Sequence, residues 1–113
     1  MSAEYIVVIA SDQFGSGNDE LGRTLIKSYL SVVAQDEVLP KEILLYHGGV
    51  VLAAEGQDTV EDLKTLVEKG VSVKACGTCV SFFQLEDKLA VGEITNMRYI
   101  HEQMRSFDRV IRP

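Results

Sequence analysis

Tyr5-Ile-Val-Val-Ile-Ala10 decides the fold. An unbroken apolar run of this length, rich in β-branched side chains, is the pattern of a strand covered on both faces, as in a parallel sheet. Working outward, the glycine loop Ser11-Asp-Gln-Phe-Gly-Ser-Gly-Asn18 leads into Leu21, Leu25, Tyr29 and Val32, with Ile26, Leu30 and Val33 widening the stripe. That spacing predicts an amphipathic helix of roughly four turns, ended by Pro40 at the latest. Ile43-Leu-Leu-Tyr46 predicts a second strand, closed by His47-Gly-Gly49. Thr59-Val-Glu-Asp62 has the capping-box form and opens a helix with Val60, Leu63 and Val67 on one face, stopped by Gly70.

Val71-Ser-Val-Lys-Ala75 predicts a third strand, which leaves through Cys76-Gly-Thr-Cys79 into a helix carrying Phe82, Leu85 and Leu89. After Gly92, the recurrence of Met97, Ile100, Met104 and Phe107 marks a last helix with its methionines in the core, capped by Asn96. Asp108-Arg-Val-Ile111 is a closing strand. Strands alternating with helices predict an α/β domain over residues 1–113, flavodoxin-like or Rossmann-like, with three layers and a mainly parallel sheet of about four to five strands. Sites in such sheets lie outside the carboxyl ends of the strands. Here that edge holds the loops 11–18, 47–57 and 76–81.

Composition narrows the function. The 113 residues are 46% hydrophobic and 25% charged, ordinary globular values that exclude disorder and fibres. Seventeen acidic residues against eleven basic ones give a net charge of −6, with no basic cluster, so nucleic acid is not an expected partner. No apolar run reaches the roughly 18 residues that span a bilayer. The start shows neither a basic region nor a small-residue cleavage pattern, and two cysteines make no disulfide framework; the expected location is cytoplasmic.

The chemistry-bearing feature is the Cys76-Gly77-Thr78-Cys79 exit from the third strand. Thiols near a helix N-terminus are stabilised as thiolates, the form that attacks sulfur. Lone cysteines more often serve as small apolar fillers, but a pair at a strand's carboxyl end points to chemistry. Thioredoxin-type dithiol exchange is one candidate, although neither Pro40 nor Pro113 is placed to face the thiols. Zinc held with His47 and His101 is a second, but these residues lack the spacing of zinc modules. Sulfur carriage is the third and needs only one nucleophilic thiolate. The glycines Gly15, Gly17 and Gly22 do not form a dinucleotide fingerprint, and no cofactor-binding or metal-ligating set is assigned. His47, Gly48, Gly49 and Asp12 are the supporting rim: the histidine as an exposed loop residue or a proton carrier, the glycines for close backbone approach, Asp12 as a turn residue or an edge polar group.

Ser11-Asp12, Asp19-Glu-Leu-Gly22, Tyr46-His-Gly-Gly-Val50, Leu63-Lys64, Lys69-Gly-Val71, Cys76-Gly-Thr-Cys79, Lys88-Leu-Ala-Val-Gly-Glu-Ile-Thr-Asn-Met97 and Val110-Ile-Arg-Pro113 occur in order along the chain. In these segments the sequence resembles the DsrE/DsrF-like family of small sulfur-transfer proteins, most nearly the C-terminal domain of YedF, a sulfurtransferase-like protein of selenium metabolism. The resemblance implies a homo-oligomer working between sulfur donor and acceptor proteins. It implies a persulfide on the cysteine ending the third strand, here Cys76, with Cys79 as the second thiol. Two departures stand out. The Cys-Pro-x-Pro domain that precedes such domains is absent from this sequence, and His47 replaces the asparagine often found before Gly-Gly. A non-catalytic oligomeric binding module remains the alternative, with Val50-Val-Leu-Ala-Ala54 as the stretch expected to bury itself in a neighbouring subunit.

Overall fold

The computed structural model describes residues 4–113. Five strands, β1 (Tyr5–Ile9), β2 (Glu42–Leu45), β3 (Ser72–Cys76), β4 (Glu93–Thr95) and β5 (Arg109–Ile111), form one sheet in the order β4-β3-β2-β1-β5. Every pairing is parallel. The intervening helices are α1 (Asp19–Gln35), α2 (Val60–Glu68), α3 (Gly77–Phe82) and α4 (Met97–Ser106), with a 3-10 helix over His47–Ala53.

Handedness fixes which helix covers which face. From β1 to β4 the chain steps steadily toward one edge, and right-handed crossovers then put α1, α2 and α3 on one side. The return from β4 to β5 runs the opposite way, so α4 lies on the other side. The cores agree: Val7, Ile9, Ile43, Leu45, Val73 and Ala75 pack with Ile26, Leu30, Leu63 and Val80, whereas Ile6, Val8, Leu44 and Cys76 pack with Ile100 of α4.

Beside that second core sits a polar cluster. Glu42, 2% exposed, accepts hydrogen bonds from the Ser72 hydroxyl at 2.8 Å, the Tyr99 hydroxyl at 2.7 Å and the Gln103 amide at 2.7 Å. Lys74 lies 5.5 Å from the Tyr99 ring centroid and pairs with Glu93 at 2.8 Å. Burial without a directly paired cation is tolerable here because three neutral donors satisfy the carboxylate.

Several expectations are corrected. On α1 the buried residues are Gly22, Ile26, Leu30, Val33 and Ala34, while Leu21 (56% exposed), Leu25 and Val32 (66% exposed) face outward. Gly22 on the inward stripe lets the loop pass close to the helix, since a Cβ there would come within 2.7 Å of Gln13 Cβ. The capping box at Thr59 does not form; its hydroxyl donates to the Leu52 carbonyl at 2.7 Å instead. Val50, Leu52, Ala53 and Ala54 are buried in the subunit's own core and leave no apolar stretch for a neighbour. The helix expected through Leu89 stops at Phe82, beyond which Gln84 takes a left-handed φ of +59°, although Leu85 and Leu89 still pack on the core. Glu93–Thr95, where no strand was expected, supplies the fifth strand. Met97 is exposed rather than buried. The Asn96 cap forms as expected, accepting the Tyr99 N–H at 2.9 Å.

Candidate functional site

β3 delivers its last residue, Cys76, to the carboxyl edge of the sheet, and α3 begins on the next residue. Alternation along β3 turns Ser72, Lys74 and Cys76 toward the α4 side, because successive strand side chains point to opposite faces. Cys76 therefore joins Ile6, Val8, Leu44 and Ile100 and is only 3% exposed. Cys79, one helical turn on, is half-buried and touches both hydrophobic cores. Gly77 between them has its Cα turned against β4: a Cβ would lie 3.1 Å from Ile94 Cγ2 and 3.4 Å from the Thr95 carbonyl oxygen. Thr78 is exposed.

The His47 segment crosses to the same edge. Its backbone N–H donates to Cys79 Sγ at 3.0 Å, and its φ of +52° is left-handed, uncommon for a residue other than glycine. Gly49 is required on steric grounds, since a Cβ would sit 2.1 Å from the Ile9 carbonyl oxygen. Gly48 is looser, its nearest contact being the Asp12 backbone nitrogen at 3.6 Å. Asp12, His47 and Gly48 line an open hollow of about 430 Å³ together with Ala10, Ser11, Val51 and Phe83. Asp12, His47 and Gly48 thus share one hollow at the carboxyl edge, and of these His47 reaches a thiol, through its backbone N–H to Cys79. Phe83 was not foreseen, because the helix bearing it ends much earlier than its apolar spacing indicates.

The electrostatics depart from expectation at Cys79. Burial pushes its thiol above the ordinary range; the His47 N–H pulls the other way, and the neighbouring Cys76 thiol adds to the rise. The net direction is upward, where the sequence suggests a depressed thiol at a helix start. Metal ligation finds no cluster: among the described residues no three His, Cys, Asp or Glu side chains converge, and His101 is exposed on α4. No helix among them is long and apolar enough to cross a membrane.

Solved structures of similar architecture include the ychN protein of E. coli, with a TM-score of 0.67 and 18% identity over 97% of this chain and 99% of that one. MTH1491 of Methanobacterium thermoautotrophicum, a protein of unknown function, gives 0.70 and 20% over 99% of this chain and 100% of that one. BT1422 of Bacteroides thetaiotaomicron gives 0.67 and 12% over 97% and 95%. At these identities the likeness is one of fold. No curated protein matches the sequence. The model of the DsrE/DsrF-like family matches residues 3–113, nearly the whole chain. On that match and on this architecture, the chain belongs to the DsrE/DsrF-like family, a family associated with sulfur metabolism.

Proposed function

We propose that the chain carries sulfane sulfur on its Cys76-x-x-Cys79 pair, passing it between a donor and an acceptor protein. The observation that carries this reading is a half-buried Cys79 sulfur at the sheet's carboxyl edge, held by a main-chain amide, with a second thiol beside it. The family resemblance ranked Cys76 as the acceptor; its burial favours Cys79 as the thiol a donor meets first. The Cys79 thiolate attacks the outer sulfur of a donor persulfide, R–S–SH. A new S–S bond forms at Cys79, the donor's S–S bond breaks, and R–S⁻ departs, leaving Cys79–S–SH. An acceptor thiolate repeats the exchange. Alternatively Cys76 attacks the inner sulfur, giving a Cys76–Cys79 disulfide and hydrogen sulfide, so the dithiol is oxidised as the sulfane sulfur is reduced.

The likeness to the YedF C-terminal domain extends this reading to selenium metabolism, since the same nucleophile serves both elements. Exposed Leu21, Leu25 and Val32 on α1 favour a homo-oligomer. The nearness of the two thiols also supports a second reading, dithiol redox exchange, which requires a reversible disulfide and no sulfur adduct.

Mass spectrometry after incubation with cysteine and a cysteine desulfurase tests both. An adduct of one sulfur atom, lost in Cys79→Ser and retained in Cys76→Ser, is expected. Loss only in Cys76→Ser restores the order that the resemblance gave. No adduct on either thiol with several persulfide donors overturns sulfur carriage.

A further inference from the structure

We propose that the main chain of His47, rather than its imidazole, is the positioning element of the sulfur site, its amide N–H orienting the Cys79 sulfur and stabilising its thiolate once formed. The inference rests on the sulfur-carrying reading for its purpose but on geometry for its content. The hydrogen bond of 3.0 Å joins residues 32 positions apart, tying the end of β2 to the first turn of α3. The backbone is fixed on both sides of that amide. Tyr46 N–H still belongs to the sheet, donating to the Ile9 carbonyl at 3.1 Å, and Gly49 N–H turns back to the Tyr46 carbonyl at 2.9 Å. Gly49 itself lies too close to Ile9 to admit any side chain.

Between these anchors the chain turns through the left-handed conformation of His47, uncommon for a residue with a side chain. The imidazole is exposed, whereas the amide meets sulfur. A fixed N–H donor favours the charged form of the group it meets. Among the influences on Cys79 it is the one that draws toward the anion, against burial and against Cys76. An attacking thiolate held in this way needs little reorganisation before in-line exchange.

The test reads Cys79 alone and needs no sulfur donor. The rate of iodoacetamide alkylation at Cys79, quantified by peptide mass spectrometry, is followed against pH. Replacing the His47 amide by an ester removes the N–H and keeps the side chain; the profile is expected to move upward, with on the order of tenfold slower reaction at neutral pH. His47→Gly keeps the N–H and tolerates the left-handed turn, so its profile midpoint is expected to stay. An unmoved ester profile, or an equal displacement in His47→Gly, overturns the proposal. On the unmodified protein the His47 amide proton resonance is expected to shift with the same midpoint as Cys79 alkylation, and a flat response overturns it equally. Failure to load sulfur with these signatures intact defeats sulfur carriage and leaves the positioning role standing.

Discussion

A methyl group added at Gly49 has nowhere to go, because the Ile9 carbonyl oxygen already occupies its place. Gly49→Ala is expected to cost about 3 kcal/mol in urea unfolding, as overpacking against rigid backbone does. The two thiols differ as sharply. In the native protein Cys79 is expected to alkylate on the order of a hundredfold faster than Cys76, which must wait for local opening. Its rate should climb only above the pH range of a free cysteine, because burial favours the neutral thiol. Equal rates at the two positions, read peptide by peptide, count against this geometry.

At the scale of elements, α4 depends on its polar anchors as well as on Ile100. Tyr99→Phe deprives Glu42 of one of three donors and is expected to cost about 2 kcal/mol, the usual worth of a hydrogen bond to a charged group. The same tyrosine makes stability depend on alkaline pH. Burial, then the Glu42 hydrogen bond and charge, then the Glu93 charge, hold its phenol up to about 12 from an ordinary 10.0. Between those values the unfolded chain has released a proton that the folded chain keeps, so raising pH favours unfolding. The Tyr99 contribution is therefore complete below about 10 and is lost as pH climbs toward 12; the Phe variant should show a shallower alkaline loss in urea melts.

How much of this the sequence disclosed follows from how local each signal was. β1 and β2 were legible because burial on both faces leaves unbroken apolar runs, and Asn96 because a cap acts within one turn. The gathering of Cys76, Cys79, His47 and Asp12 followed from topology alone. The outward stripe of α1 is not separable in the sequence because Leu21, Leu25 and Val32 are as apolar as the buried Ile26, Leu30 and Val33. β4 is three residues long and pairs only with β3, too short for any periodicity to show. The hydrogen bond from His47 to Cys79 could not be foreseen, since a backbone donor carries no side-chain signature.

Among the described residues, the strand order β4-β3-β2-β1-β5 makes the sheet lopsided, with α1, α2, α3 and the 3-10 helix on one side and α4 on the other. Under the proposed homo-oligomer, the exposed Leu21, Leu25 and Val32 of α1 are the expected contact. Leu21→Glu with Val32→Glu is expected to leave the unfolding free energy of the subunit within about 0.5 kcal/mol, as surface changes do, while lowering the particle mass in sedimentation. An unchanged mass removes α1 from the interface. The thinner covering bears on Cys76, which packs on that side against Ile100 of α4 and the sheet residues Ile6, Val8 and Leu44. Labelling of that sulfur is therefore expected to report how often α4 opens, a readout of that helix alone.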